Sequence, residues 1–143
     1  MEEVRSMESV LETVREACTS ADVPFKEVKK LLGNLVGTDT IISSYISIGP
    51  FPEREDVLLD IFVLSPSCLY NLDIRTTEHL CHRFILAHLS IIEEASGEDN
   101  MVYYLYAGTH ELMITDRTTR RDDIEKFCSE IKEAAVAIQQ SNR

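Results

Sequence analysis

Two spacings of apolar residues divide this chain. Up to about residue 36, and again from about Arg121 to Gln139, apolar positions recur every three to four residues, the period of a helix. Between those stretches they alternate with polar ones, the period of a strand. In the first stretch Val4, Met7, Leu11, Val14 and Cys18 form one stripe, while Glu2, Glu3, Glu8, Glu12 and Glu16 take the other faces. The stripe has only about two apolar positions per seven residues, a seam narrow enough to pack on its own domain or on another copy of itself. Val4, Met7, Leu11 and Val14 are therefore a candidate partner interface. A second helix is expected from near Pro24, with Asp22 as its cap and Phe25, Val28, Leu31, Leu32 and Leu35 as its apolar face. Gly33 and Gly37 bracket its end.

From Asp39 the period predicts a half-buried strand, with Ile42, Ser44, Ile46 and Ile48 on one face and Ser43, Tyr45 and Ser47 on the other. Two prolines and four charges make Gly49–Asp56 a loop. Val57–Leu64 is apolar on both sides apart from Asp60, as expected of a central strand. Ser65-Pro66-Ser67 reads as a tight turn, and Cys68–Ile74 alternates again. Leu80–Ile92 fits one helix or two short strands bent at Ala87–His88; its density of isoleucine and phenylalanine, among neighbouring strands, favours two strands. Met101–Ala107 and His110–Thr115 form a hairpin about Gly108-Thr109. The last helix carries Ile124, Phe127, Cys128, Ile131, Ala134, Ala135 and Ile138 on one stripe, with Thr119 as its cap and Asp122, Asp123 and Glu125 at its positive end.

A chain of 143 residues that is 44% hydrophobic can bury one core without staples. No composition break marks a linker, so residues 1–36 read as an N-terminal helical extension and residues 37–143 as the main domain. The net charge of −11 argues against nucleic acid and anionic lipid as partners. Small basic clusters, Lys26-Lys29-Lys30 and Arg117-Arg120-Arg121, sit among acids and read as solvated faces with local ion pairs. Cys18, Cys68, Cys81 and Cys128 form no Cys-x-x-Cys pair and read as reduced, mostly buried side chains. Apolar runs fall far short of the ~20 residues of a membrane span. Acids near Met1 stand where a secretory signal carries lysines, so a cytoplasmic location is expected.

Three segments carry a family resemblance over residues 38–139. Phe62-Val-Leu-Ser-Pro-Ser-Cys-Leu-Tyr-Asn-Leu-Asp73 looks like the second-to-third strand hairpin of the pleckstrin-homology-like superfold, in particular its small bacterial and GRAM-type members. Phe84-Ile-Leu-Ala-His-Leu-Ser-Ile-Ile-Glu93 is similar to that family's step into the fifth strand, and Asp122-Asp-Ile-Glu-Lys-Phe127 resembles the start of its closing helix. The resemblance implies an α+β fold: a partly open antiparallel β-barrel of about seven strands, capped by the C-terminal helix and preceded by the helical extension. Lipid-binding members carry lysines and arginines on the first two strands and the loop between them. Here residues 39–49 have none, and the loop offers Arg54 among Glu53, Glu55 and Asp56, so phosphoinositide or membrane binding is not expected.

Chemistry is sparse. His79, Cys81, His82 and His88 are metal-like in type, but on a strand His79 and Cys81 share a face that His82 does not, whereas zinc needs about four converging ligands. His110 and Glu111 alternate sides at a hairpin, and Glu93, Glu94, Glu98 and Asp99 lack the ligand order of a calcium loop. Ser65 and Ser67 have no nucleophile setting, and Tyr103, Tyr104 and Tyr106 suit cross-strand packing better than base stacking. No nucleophile, base, metal or cofactor is nominated. The expectation is a non-catalytic binding or scaffold module working through protein–protein contacts or self-association. The alternative is an acidic dimeric secretion-chaperone-like protein, which requires a helix near Thr77–Ile92.

Overall fold

The computed structural model describes residues 6–52 and 54–141; Val4 lies outside them. Helix α1 (Met7–Ala21) starts at Ser6, whose hydroxyl oxygen accepts from the Ser9 amide at 3.2 Å. It ends at Asp22, whose left-handed backbone (φ 55°) turns its amide back onto the carbonyls of Cys18 and Thr19. Asp22 thus closes the first helix instead of capping the second. Helix α2 (Phe25–Val36) follows Pro24 with no side-chain cap, and Gly33 lies inside it. Gly37, at φ 62°, is the residue that lets the chain leave α2.

Seven strands follow in two antiparallel sheets. β1 (Ser43–Ile48), β2 (Val57–Leu64), β3 (Cys68–Arg75) and β4 (His79–Ile85) make the first, in sequence order. β5 (Leu89–Glu94), β6 (Asn100–Ala107) and β7 (His110–Arg117) make the second, also in order. One 3-10 turn, Leu86–His88, carries the chain between them, so Leu80–Ile92 runs as two strands around the expected bend. The helix that the secretion-chaperone reading requires there is replaced by β4 and β5. Helix α3 (Arg121–Ser141) ends the fold. The sheets stay separate, with no closed barrel among the described residues.

Two cores result. Between the sheets, Tyr45, Phe62, Leu64, Leu69 and Phe84 from the first meet Met101, Tyr103, Leu105, Leu112 and Ile114 from the second. The α3 stripe of Ile124, Phe127, Cys128, Ile131, Ala134 and Ala135 completes this core, with Phe127 stacked on Tyr45 at 5.5 Å between ring centroids. On the far side of the first sheet, Ile46, Ile61, Leu72 and Ile74 meet Val10, Val14, Val28 and Leu32 from α1 and α2. β1 is therefore covered on both faces, not half-buried as its alternation suggested, because Tyr45 and Ile46 serve different cores. Of the candidate interface stripe, Val14 is fully buried in this second core, and Met7 and Leu11 are partly buried against it. The described part of the stripe faces the chain's own sheet.

Candidate functional site

The interior between the sheets is apolar toward α3 and polar at the opposite end. The register sets Ser47 beside Asp60 and Asp60 beside Asp73, one row across β1, β2 and β3. All three face the inter-sheet side, since Tyr45 and Phe62, two residues away on β1 and β2, do so. Asp60 is fully buried and Asp73 is 1% exposed. Arg54, from the β1–β2 loop, reaches both: its Nη1 donates to Asp60 Oδ2 and its Nη2 to Asp73 Oδ2, each at 2.7 Å. Asn71 Nδ2 donates to Asp60 Oδ1 at 2.6 Å, and Arg75 donates to Asp73 at 3.1 Å and to Asp56 at 3.2 Å.

Burial still pushes the Asp60 carboxyl up to about 6; Arg54 pulls it back and Asp73 raises it further. The Asp73 Oδ1 and Ser47 Oγ atoms are buried without a partner among the described residues. Arg54, which in sequence sat among acids in a polar loop, is thus the clamp that holds this loop to the core. The one signal for it was Asp60, a charge inside an apolar strand.

A second polar group lies at the corner of β1, β7 and α3. The Tyr45 hydroxyl donates to Asp116, which is 1% exposed, and Arg120 pairs with Asp116 at 3.1 Å while lying over the Tyr45 ring at 4.9 Å. Burial, then the bond to Asp116, drives the Tyr45 phenol far above its ordinary range. Arg120 also donates to the Ile46 carbonyl at 2.7 Å, and Arg117 to the Ile48 carbonyl at 2.8 Å. Ile46 and Ile48 alternate along β1, so their carbonyls lie on one edge. Two arginine side chains therefore occupy the β1 edge of the first sheet. With Arg121 paired to Glu125, the Arg117-Arg120-Arg121 cluster is spent on local bonds.

The β5 edge of the second sheet differs. The Ala95 amide donates to Val102 O, and the bonding alternates along the pair, so Ile91 and Glu93 turn their backbone groups to β6 while Ile92 and Glu94 turn theirs away. Among the described residues no strand pairs with that outer side. Beside it α3 forms the other wall of a groove. One cleft of about 340 Å³ lies against Ile92, Glu94, Tyr103, Glu125, Cys128 and Lys132, and a second of about 220 Å³ against Leu89, Ile91, Ile92, Val136 and Gln139. Ile92 and Lys132 line both, so the two clefts adjoin. Ile91 (53%) and Val136 (51%) are the exposed large apolar side chains of the described chain, and both stand on this groove. Gln139 closes one end by donating to the carbonyls of Leu86 and Leu89. The acids Glu94 and Glu125 mark the other end, where the Tyr103 hydroxyl, raised to about 12 by burial and Glu94, donates to Glu94.

The other residues of interest do not converge. His79 approaches Glu27 at 3.3 Å on the α2 side of β4, His82 lies on the opposite face, and His88 is in the 3-10 turn. Among the described residues no three His, Cys, Asp or Glu side chains are placed to hold a metal ion. Ser65 Oγ is bonded to the Cys68 backbone in its turn. Cys18, Cys68 and Cys128 are buried and Cys81 is exposed, all as free thiols. No helix among the described residues is long and apolar enough to cross a membrane. Compared with known families, the chain matches no family model, and no curated protein matches its sequence.

Proposed function

We propose that this chain is a non-catalytic protein-binding module of the pleckstrin-homology-like kind, its two sheets and closing helix corresponding to that family's partly open barrel. Its docking site is the outer edge of β5 with the groove beside α3. The partner is an extended protein segment that adds a strand to β5, sets an apolar side chain between Ile91 and Val136, and places a basic one near Glu94 and Glu125. One observation carries this reading: among the described residues the β5 edge has no strand partner and is walled by an apolar groove, whereas the β1 edge is filled by Arg117 and Arg120 and the other edge strands, β4 and β7, do not line that groove. An unpaired strand edge offers main-chain hydrogen bonds, and a pocket beside it reads alternate side chains. The chain's charge of −11 favours a basic segment. Phosphoinositide binding is disfavoured because Arg54, the cation of the β1–β2 loop, is committed to Asp60 and Asp73.

The test is selection from a library of random extended heptapeptides, followed by amide exchange on the protein with the enriched peptide bound. Enrichment of apolar residues with a basic one, protection of the Ile92 and Glu94 amides, and loss of binding in Ile91→Lys and Val136→Lys support the site. Enriched peptides that leave those amides unprotected refute it. Concentration-dependent mass in sedimentation, abolished by Ile91→Lys, would instead assign the edge to a second copy of this chain.

A further inference from the structure

The outward face of the three-stranded sheet carries an ordered grid of six side chains. Register sets Ile91, Tyr106 and Glu111 in one row and Glu93, Tyr104 and Met113 in the next. Directly opposed residues share a face, as do residues two apart on one strand. Leu105 and Leu112 fill the inner core, so their neighbours in this grid look away from it. α1 and α2 cover the outer face of the first sheet. On the second sheet Tyr104, Tyr106 and Met113 are only partly buried, and Ile91, Glu93 and Glu111 are exposed.

The Tyr104 and Tyr106 rings lie 6.4 Å apart at an interplanar angle of 24°. Each has a glutamate as its cross-strand neighbour, Glu93 beside Tyr104 and Glu111 beside Tyr106. The Tyr106 phenol is held above its ordinary range, first by loss of surrounding water and then by Glu111 and Glu93, so both carboxylates act on that ring. Among the described residues neither glutamate forms an ion pair.

We propose that this face receives arginine side chains of a partner protein, each guanidinium lying against a tyrosine ring and donating to the glutamate beside it. A planar guanidinium can stack on an aromatic face and bond a carboxylate at the same time, which the compact, strongly hydrated ammonium of lysine does less well. Alternate side chains of an extended segment project on one side about 6.8 Å apart, close to the spacing of the two rings. The preferred motif is therefore arginine, any residue, arginine. The face adjoins the α3 groove at Ile91, and its tyrosines and glutamates Tyr104, Tyr106, Glu93 and Glu111 line neither of the groove's clefts.

The experiment is a nuclear magnetic resonance titration of the full chain with acetyl-Gly-Arg-Gly-Arg-Gly-amide and with the same peptide carrying citrulline, the neutral isostere of arginine. The arginine peptide is expected to move resonances of Glu93, Tyr104, Tyr106 and Glu111, and the citrulline peptide to leave them in place. The exposed double variant Glu93→Gln, Glu111→Gln should keep the backbone spectrum and weaken binding at least about tenfold, the size expected from losing a charge-assisted bond. An equal response to citrulline, shifts spread over the acidic faces of α1 and α3, or undiminished binding by the double variant overturns the proposal. So does a response confined to Ile92, Lys132 and Val136, which would leave the groove reading intact.

Discussion

Replacing Arg54 with methionine tests the polar end of the core most directly. The substitution keeps an unbranched apolar stem, shorter than that of arginine, and removes the cation that bonds both Asp60 and Asp73. These carboxylates face each other on adjacent strands with side chains 0% and 2% exposed, so water cannot take over the role of the guanidinium. Breaking a buried ion pair from one side costs about 3–5 kcal/mol, a large share of the ~5–15 kcal/mol that holds a domain together. Arg75 keeps part of Asp73 paired, which places the expected loss toward the lower figure.

The pH dependence sharpens the test. Asp60 titrates at about 6 in the folded chain, above an ordinary aspartate, so the fold holds that proton more tightly than the unfolded chain does. Its contribution is fully present below the unfolded value and disappears as pH rises through about 6, an effect of order 3 kcal/mol. Because Arg54 pulls this value down, Arg54→Met should extend the loss to higher pH. Urea unfolding followed by circular dichroism at pH 5, 6, 7 and 8 measures it: the gap between variant and parent should widen from pH 5 to pH 8. A gap below about 1 kcal/mol at pH 8, or one that does not change with pH, would refute the clamp.

Three further outcomes follow from other parts of the fold. A Cβ at Gly49 would collide with the Val57 backbone, so Gly49→Ala should lower stability by about 1–3 kcal/mol in the same unfolding assay. Burial raises the Cys128 thiol to about 12 and also raises Cys18, so a thiol reagent at pH 8 should modify exposed Cys81 first, read by peptide mass mapping. The double variant Arg117→Gln, Arg120→Gln strips the guanidinium groups from the β1 edge, and sedimentation should then show stronger concentration-dependent association than in the parent.

Much of the fold was legible in sequence because each element buries its own regular stripe. The α3 positions Ile124, Phe127, Cys128, Ile131, Ala134 and Ala135 all lie in the inter-sheet core, as their spacing implied. Tyr70, Leu72 and Ile74 share one face of β3 against Asn71 and Asp73, as their alternation implied. What period alone could not supply was the number of layers. Tyr45 and Ile46 look like the two sides of a half-wet strand until α1 and α2 are known to lie across one of them.

The site was less legible. Arg54 and Asp73 are 19 residues apart, and no local pattern joins a loop arginine to a strand carboxylate. The β5 edge was equally hidden, since which strand lacks a neighbour is decided by topology and not by its own residues. In sequence Tyr104 and Tyr106 suit cross-strand packing. They do stack, but outward, and their pairing with Glu93 and Glu111 depends on registers that no single strand reveals.

The first sheet is roofed on both sides by its own chain, and that limits where this protein can be divided. A fragment starting after α2 would present Ile46, Ile61, Leu72 and Ile74 to water as one greasy slab and should precipitate. Any foreign surface able to rescue such a fragment would have to imitate the two helices, presenting small aliphatic groups where Val10, Val14, Val28 and Leu32 now sit.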